Sequence, residues 1–563
     1  MQKQNCQNCK NEFTIAAEDI DFYNMMDVPA PTWCPVCRYK RRAIWRNVRH
    51  LFRGTDASSG KEIFRQLHPD VTIPVYNLAY WNSDNWDALS YGQDYDFEKP
   101  FFTQWYELFQ KVPFPALAVI GDNTGSEYCN QIDYPKNCYL VFNASNTEDS
   151  AYSFNVGEIK NSFDTTACFD SEYCYECTRT TKSHRTIASL QCEACADVWF
   201  SKNCTNCTDC IGCVNLRNKK YCIFNEQYTK EDYDEQKKLL GLDTYQGYSN
   251  VKQRAHAFWK KFPIKYMLGL RNQDVSGEDI RDSKNVHESY LVHKSENVKY
   301  SQDIPMGATN SYDYFVWGEY ATKMYECTCA GMQTSDIKFS FDVWPNSQDI
   351  EYSATCRRVQ NCFGCVGLKD KQYCILNKQY TKEEYEELLP KIKQHMLDMP
   401  YTDTKGRVYT YGEFFPIEFS PFAYNESALF DQFALSPEQA IAEGFLWRDM
   451  GHKAYEPTIS IAEVAESIHD VPEDITKEIL SCSDCEKAYR IIPSEYQLLK
   501  NLGVPIPRAC IECRFKERQK NIPPPLFNTG ACASEGCLET FLTAYDDTEN
   551  IIYCEGCYKR EVL

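Results

Sequence analysis

Between Asn137 and Asp209 the chain repeats itself every twelve residues. Asn137, Asp149, Asn161, Tyr173, Arg185, Asp197 and Asp209 mark the period. Taking these as phase zero, small or apolar residues fill phases one, four, seven and ten. Phase one reads Cys138, Ser150, Ser162, Cys174, Thr186, Val198 and Cys210, and phase seven reads Ala144, Val156, Cys168, Thr180, Cys192, Cys204 and Leu216. A helix would gather its apolar residues at a spacing of 3.6 and an isolated strand at two. A period of twelve with four inward positions instead suits a narrow β-solenoid, whose coils stack at the strand spacing of about 4.8 Å. The frequent Asn and Asp at phase zero suit a corner that needs a turn-forming or left-handed residue.

A second series runs at twelve to thirteen residues through Asn285, Asn297, Asn310, Lys323, Asp336, Asp349 and Asn361. The two series are themselves a duplication. Cys210-Ile-Gly-Cys213 and Lys220-Tyr-Cys222 return as Cys362-Phe-Gly-Cys365 and Gln372-Tyr-Cys374, 152 positions later. Both continue into Tyr-Thr-Lys-Glu-Asp/Glu-Tyr, where Thr229 and Thr381 read as helix N-caps. Phe262-Pro-Ile264 then aligns with Phe415-Pro-Ile417.

Chemistry concentrates at the two ends. Cys6, Cys9, Cys34 and Cys37 form two C-x2-C knuckles separated by 24 residues, and Cys482, Cys485, Cys510 and Cys513 repeat that spacing at an offset of 476. Phe13 matches Tyr489, Val28-Pro29 matches Val504-Pro505, and Pro31 matches Pro507. Four thiolates on paired knuckles complete a tetrahedral zinc shell and leave no open position, which favours a structural metal over a catalytic one. A third set, Cys532, Cys537, Cys554 and Cys557, opens with a looser C-x4-C. The expected cofactor is therefore zinc, about three ions per chain.

The first two modules resemble the probable zinc-ribbon domain through Phe13, Pro31, Cys34, Cys37 and Arg38, and through Tyr489, Pro507, Cys510, Cys513 and Arg514. The resemblance covers about a fifth of the chain and implies zinc and a small ribbon or treble-clef fold, with no activity to carry over. The whole arrangement is similar to large cysteine-rich proteins of candidate-phylum bacteria. The coils are similar to the 12-residue coils of insect antifreeze proteins in geometry alone. The flat Thr-x-Thr face of those proteins is absent, and no coil pairs Cys at phases one and seven as their cross-coil disulfides require.

Residues 38 to 53 hold Arg38, Lys40, Arg41, Arg42, Arg46, Arg49 and Arg53 and no acid. With Ile44, Val48, Leu51 and Phe52 at helical spacing, the segment reads as an amphipathic helix with a cationic outer face, able to meet the phosphates of RNA, the ribosome or DNA. The competing reading is that this face pairs with the acidic body of its own chain. The chain carries 60 basic and 80 acidic side chains, and residues 1 to 53 carry +4, so the acidity lies in the middle. Any nucleic-acid contact must be local.

Eighteen of the 30 cysteines fall in or beside the coils. Packed, reduced thiols account for them, in a chain whose N-terminus lacks the layout of a secretory signal and which is expected to be cytoplasmic. Cys204, Cys207, Cys210 and Cys213 invite an iron–sulfur reading. Stacking of Cys192 under Cys204 and Cys195 under Cys207 offers a further metal site between coils. No Walker-type loop, G-x-G-x-x-G or G-x-S-x-G occurs, so no catalytic residue is named.

The expected fold is mainly β with α insertions, two narrow β-solenoid lobes flanked by terminal zinc ribbons. Its parts are a ribbon with basic helix (1–54), an aromatic helical collar (55–125), lobe 1 (126–225), a helical insertion (226–280), lobe 2 (281–377), a helical and aromatic segment (378–475), and two ribbons (476–525 and 526–563). Three functions fit this plan. The first is a non-catalytic scaffold with a protein or nucleic-acid partner at the ribbons and none in the membrane. The others are an enzyme acting on a polysaccharide along the solenoid and a thiol-based metal store or redox sensor.

Overall fold

The computed structural model describes residues 1–451 and 455–562. Two β-solenoids form its centre. In lobe 1, strands Val119–Ile120, Asn130–Asp133, Phe142–Ser145, Phe154–Lys160 and Phe169–Glu172 pair in parallel in chain order. Single bridges such as Phe163 to Tyr175 and Tyr175 to Ile187 carry the ladder on to Ala196–Trp199, Thr208–Ile211 and Lys220–Ile223. Lobe 2 is a parallel ladder from Gly269–Leu270 to Gln372–Ile375, closed by the antiparallel Lys378–Gln379. The registers place Cys210 beside Cys222 and Cys362 beside Cys374, as the twelve-residue period requires.

The corner expected at phase zero is one of four. Asn137, Leu140, Asn143 and Asn146 have φ of +52°, +52°, +51° and +45°, and Asp149, Tyr152, Asn155 and Glu158 continue the pattern. Each coil is thus four-sided, with three residues to a side. A left-handed non-glycine residue costs on the order of 1–3 kcal/mol and persists where its surroundings over-determine it. Here the amides of Asp149 and Tyr152 bond to Lys136 and Tyr139 one coil below. Asn and Asp are common at the corners because their short polar side chains tolerate this conformation best.

The inward positions take small residues that can bond to their own backbone. Ser150 Oγ donates to the Glu148 carbonyl and accepts from the Ser162 amide, and Ser162 Oγ repeats this with Lys160 and Cys174. A thiol fills the same space. Cys168 Sγ lies 3.5 Å from the Thr166 carbonyl and 3.6 Å from that of Cys177.

Helices close the exposed ladder ends, which would otherwise template further strands. Lys230–Leu239 and Lys382–Asp398 start at Thr229 and Thr381, whose hydroxyls accept from the Asp232 and Glu384 amides. They bury Tyr233 and Tyr385 over the last coils of each lobe. Residues 55–125 are less helical than expected, and their longest helix, Phe101–Phe109, packs on lobe 2. Phe101 meets Phe363 at 5.1 Å, and Trp105 meets Phe415 at 4.1 Å. Among the described residues no helix is long and apolar enough to cross a membrane.

The basic segment does not form the expected helix. Its helix spans Pro35–Ala43 only, and Phe52–Thr55 is a strand paired with Glu62–Arg65. That helix packs on the lobe 2 strands Ala308–Gly318 and Ala321–Gly331. The corresponding helix of the second ribbon, Ile511–Gln519, sends Arg514 and Arg518 to Asp164 of lobe 1. The first and second ribbons therefore each seat on the lobe farther from them in sequence, and the chain crosses itself.

Candidate metal centres and the arginine clamps beside them

Three groups of four cysteines could hold a metal ion: Cys6, Cys9, Cys34 and Cys37; Cys482, Cys485, Cys510 and Cys513; and Cys532, Cys537, Cys554 and Cys557. Within each, all the sulfurs lie within 4.8 Å of one another. The sulfur separations of 3.8 Å for Cys9 and Cys34, 3.7 Å for Cys485 and Cys510, and 3.9 Å for Cys537 and Cys554 match the geometry of a metal shell. A tetrahedron of thiolates about 2.3 Å from a central ion has edges of about 3.8 Å.

Local structure explains why these sequences fold into such groups. The first knuckle of each of the first two ribbons turns at a left-handed residue, Lys10 at φ +66° and Glu486 at +60°. Its amide bonds back to the Cys6 or Cys482 carbonyl. The second knuckle opens a helix, with Cys34, Cys510 and Cys554 as N-caps. Their amides donate to Cys6, Cys482 and Cys532 Sγ at 3.1–3.2 Å. Such donors, and the positive end of a helix, favour the thiolate that binds metal.

The basic residues beside the first ribbon face inward. Arg38, Arg41, Arg42 and Arg46 are 0–2% exposed. Arg38 meets Asp313 at 2.8 Å, Arg41 meets Glu326 at 2.7 Å and also binds Glu413, and Arg42 reaches Asp313 and Glu326 at 3.1 and 3.2 Å. Burial works against the charge of Arg41, and the two carboxylates outweigh it, holding its pKa above the usual arginine value. Arg46 donates to Asn143 Oδ1. Lys40 pairs with Glu443, and Arg49 pairs with Asp431 and lies over the Phe515 ring of the second ribbon. Arg53 is exposed and paired with Glu62. The cationic outer face expected of this segment is absent, because Arg38, Arg41 and Arg42 arrive where lobe 2 supplies carboxylates.

The second ribbon repeats the clamp. Arg514 and Arg518 lie 476 positions after Arg38 and Arg42 and bind Asp164 at 3.0 and 2.7 Å. Asp164 and Asp313 each stand three residues after a phase-zero Asn, in corresponding coils. Arg38 sits over the Tyr300 ring at 5.3 Å and Arg514 over that of Tyr152 at 5.4 Å, again corresponding positions. Arg41 has Glu517 as its counterpart, and Glu176, the counterpart of Glu326, is met instead by Lys252 at 2.7 Å. None of these carboxylates stood out in the sequence. The signal was the shared offset, readable only once each ribbon is known to seat on the opposite lobe.

A fourth module with the backbone plan of the third cysteine group also went unseen, because it carries no cysteine. Phe52–Thr55 and Glu62–Arg65 form the same hairpin as Asn528–Ala531 and Thr540–Thr543. Gly60 at φ +73° matches Gly536 at +75°. Val75–Tyr76 pairs with Phe114–Pro115 before lobe 1, as Ile552–Tyr553 pairs with Ile264–Lys265 before lobe 2. Asp56 stands in place of Cys532 and Asn77 in place of Cys554. The buried Asp56 carboxylate accepts from Ser58, Ser59 and Asn77, so a hydrogen-bonded hub stands where the third cysteine group could hold a metal ion. Burial pushes its pKa up, and those donors outweigh burial, holding it well below the usual carboxylate range.

In lobe 1, Cys192, Cys195, Cys204, Cys207, Cys210, Cys213 and Cys222 share one buried cluster. Among the described residues, the groups with mutually close ligand atoms are the three at the ribbons, and the quartet Cys192, Cys195, Cys204 and Cys207 is not one of them. All 30 cysteines are free of disulfides. Burial pushes the Cys129, Cys327 and Cys356 thiols up to about 12.

No protein-family model and no curated protein matches the chain. A solved structure described as a putative acetyltransferase from Desulfovibrio desulfuricans G20 aligns over 52% of this chain and 84% of its own, at 10% identity. Its TM-score of 0.09 carries no argument about fold or function.

Proposed function

We propose that this chain is a zinc-stabilised, non-catalytic scaffold that presents its solenoid lobes to a protein partner. The observation that carries the reading is the closed character of the three four-cysteine groups. Four thiolates each leave no coordination position for water or substrate, so the metal's contribution is to folding. The buried arginines support it too, since a guanidinium held by carboxylates of its own chain is withdrawn from phosphate. They favour a protein partner over RNA or DNA at this segment.

Metal analysis of the purified chain tests the first half. About three zinc ions per chain are expected from three closed sites, and iron, or five or more metals, would overturn the reading in favour of a thiol metal store. Recovery of a protein partner that survives nuclease and raised salt tests the second. A partner lost on nuclease treatment would return the nucleic-acid reading.

A further inference from the structure

We propose that the cleft between the second ribbon, the middle coils of lobe 1 and the helix Tyr245–Trp259 is a binding site for a small, uncharged bicyclic aromatic molecule of the size of indole. This goes beyond the scaffold reading and does not depend on it.

The first ribbon fills the corresponding place with a side chain of its own. Trp33 stands immediately before Cys34 and is fully buried. The Arg41 guanidinium lies 4.5 Å from the centre of its ring, and the ring of Tyr409, from the segment that follows lobe 2, lies 6.1 Å away. The indole is thus clasped between its own ribbon and the segment that follows the lobe on which that ribbon sits.

At the offset of 476, Ala509 takes the place of Trp33 and Glu517 that of Arg41. The backbone beside the two positions is alike. Cys34 and Cys510 have φ of −67° and −69° and ψ of 159° and 165°, and both amides donate to a sulfur of the first knuckle. The difference therefore lies in the side chain, and Ala509 and Glu517 both line a cavity of about 390 Å³. The helix Tyr245–Trp259, from the segment that follows lobe 1, lines its other side. The volume falls within the usual range of about 300–1,000 Å³ for ligand sites.

The charges around this cavity are spent within the chain. Lys252 pairs with Glu176 at 2.7 Å, Arg514 with Glu495 at 2.7 Å, Arg518 with Asp164 at 2.7 Å and Glu517 with Lys520 at 2.6 Å, and Arg508 binds Glu466. Asp484, the other carboxylate that lines it, is exposed. An ion brought between these pairs must break one of them or stay without a partner, so the space suits an uncharged ligand. Tyr245, Tyr248 and Trp259 supply aromatic surface, on which a flat ring stacks or packs edge-on. His256 lines the cavity and has no hydrogen-bond partner among the described residues. Burial and the nearby charge of Lys252 push its pKa down to about 4, so the imidazole is neutral at about pH 7 and keeps one nitrogen to accept an N–H such as that of indole.

The probe is 5-fluoroindole, titrated into the full chain and followed by its fluorine NMR signal. Saturable binding to a single site is expected below about 1 mM. Ala509→Trp, which gives the second ribbon the side chain that the first one carries, should abolish it. Ser249→Trp, which fills the cleft from the helix, should do the same. Ala509→Ser, which leaves the space open, should keep the dissociation constant within about twofold. Metal content and near-ultraviolet circular dichroism report that each variant is folded. Absence of saturation up to about 3 mM, or indifference to both tryptophan substitutions, would overturn the proposal. Binding of N-acetyltryptophanamide without binding of the free ring would overturn it too, in favour of a tryptophan carried by a protein. The metal count and partner recovery test the scaffold reading independently of these substitutions.

Discussion

Asp164 and Asp313 each receive two guanidinium groups from a ribbon that lies more than 270 residues away in the chain. Removing one partner of such a buried group leaves uncompensated charge in a low-dielectric site, at a cost of about 3–5 kcal/mol. Asp313→Ala should therefore lower the thermal transition of the first ribbon and its lobe markedly. Arg53→Glu, at an exposed pair, should move it by no more than about 0.5 kcal/mol. Equal effects from the two substitutions, read by differential scanning calorimetry, would contradict the clamp. At this scale the ribbon cysteines were legible because metal coordination imposes a spacing on sequence. The carboxylates that receive the arginines impose none, so Asp313, Glu326 and Asp164 looked like any other acids of an acidic chain.

At the scale of the element, the coil explains the abundance of cysteine. Four left-handed corners leave four inward positions per coil, each with room for a small side chain. A free thiol behaves as a small hydrophobe with a weak donor, interchangeable there with serine or alanine. Because all 18 thiols outside the ribbons are buried, and burial also raises the pKa values of Cys129, Cys327 and Cys356, they should resist iodoacetamide at about pH 8 in the native chain, where an exposed thiol of pKa about 8.5 would react. They should react together on unfolding, whereas a chelator alone should add only the 12 ribbon thiols. Mass spectrometry of the alkylated chain counts them, and early labelling of Cys168 or Cys327 would refute the packed-thiol account. The period and the inward phases were visible in the sequence, since side-chain alternation follows directly from backbone repetition. The other three corners of each coil were hidden, because residues as varied as Leu140, Tyr152 and Glu158 adopt them under the constraint of stacked hydrogen bonds.

At the scale of the whole molecule, the crossed seating ties each lobe to the ribbon at the opposite end of the chain. Disabling one ribbon should loosen the lobe on which it sits, not the lobe nearer in sequence. Replacing Cys482 and Cys510 by serine should raise amide exchange in the coils around Tyr152 and Asp164. The same change at Cys6 and Cys34 should raise it around Tyr300 and Asp313. Exchange that followed sequence proximity instead would rule out the crossing. The sequence by itself determined the solenoid coil, its duplication, and the three sets of candidate metal ligands, because each rests on a short-range spacing that the backbone or a metal ion dictates. Only the tertiary structure decided where the ribbons dock, that the arginines turn inward, and that a module of the same backbone plan without cysteines stands beside lobe 1. Those outcomes depend on which surfaces meet across hundreds of residues, and burial and charge pairing between distant segments leave no periodic trace along the chain.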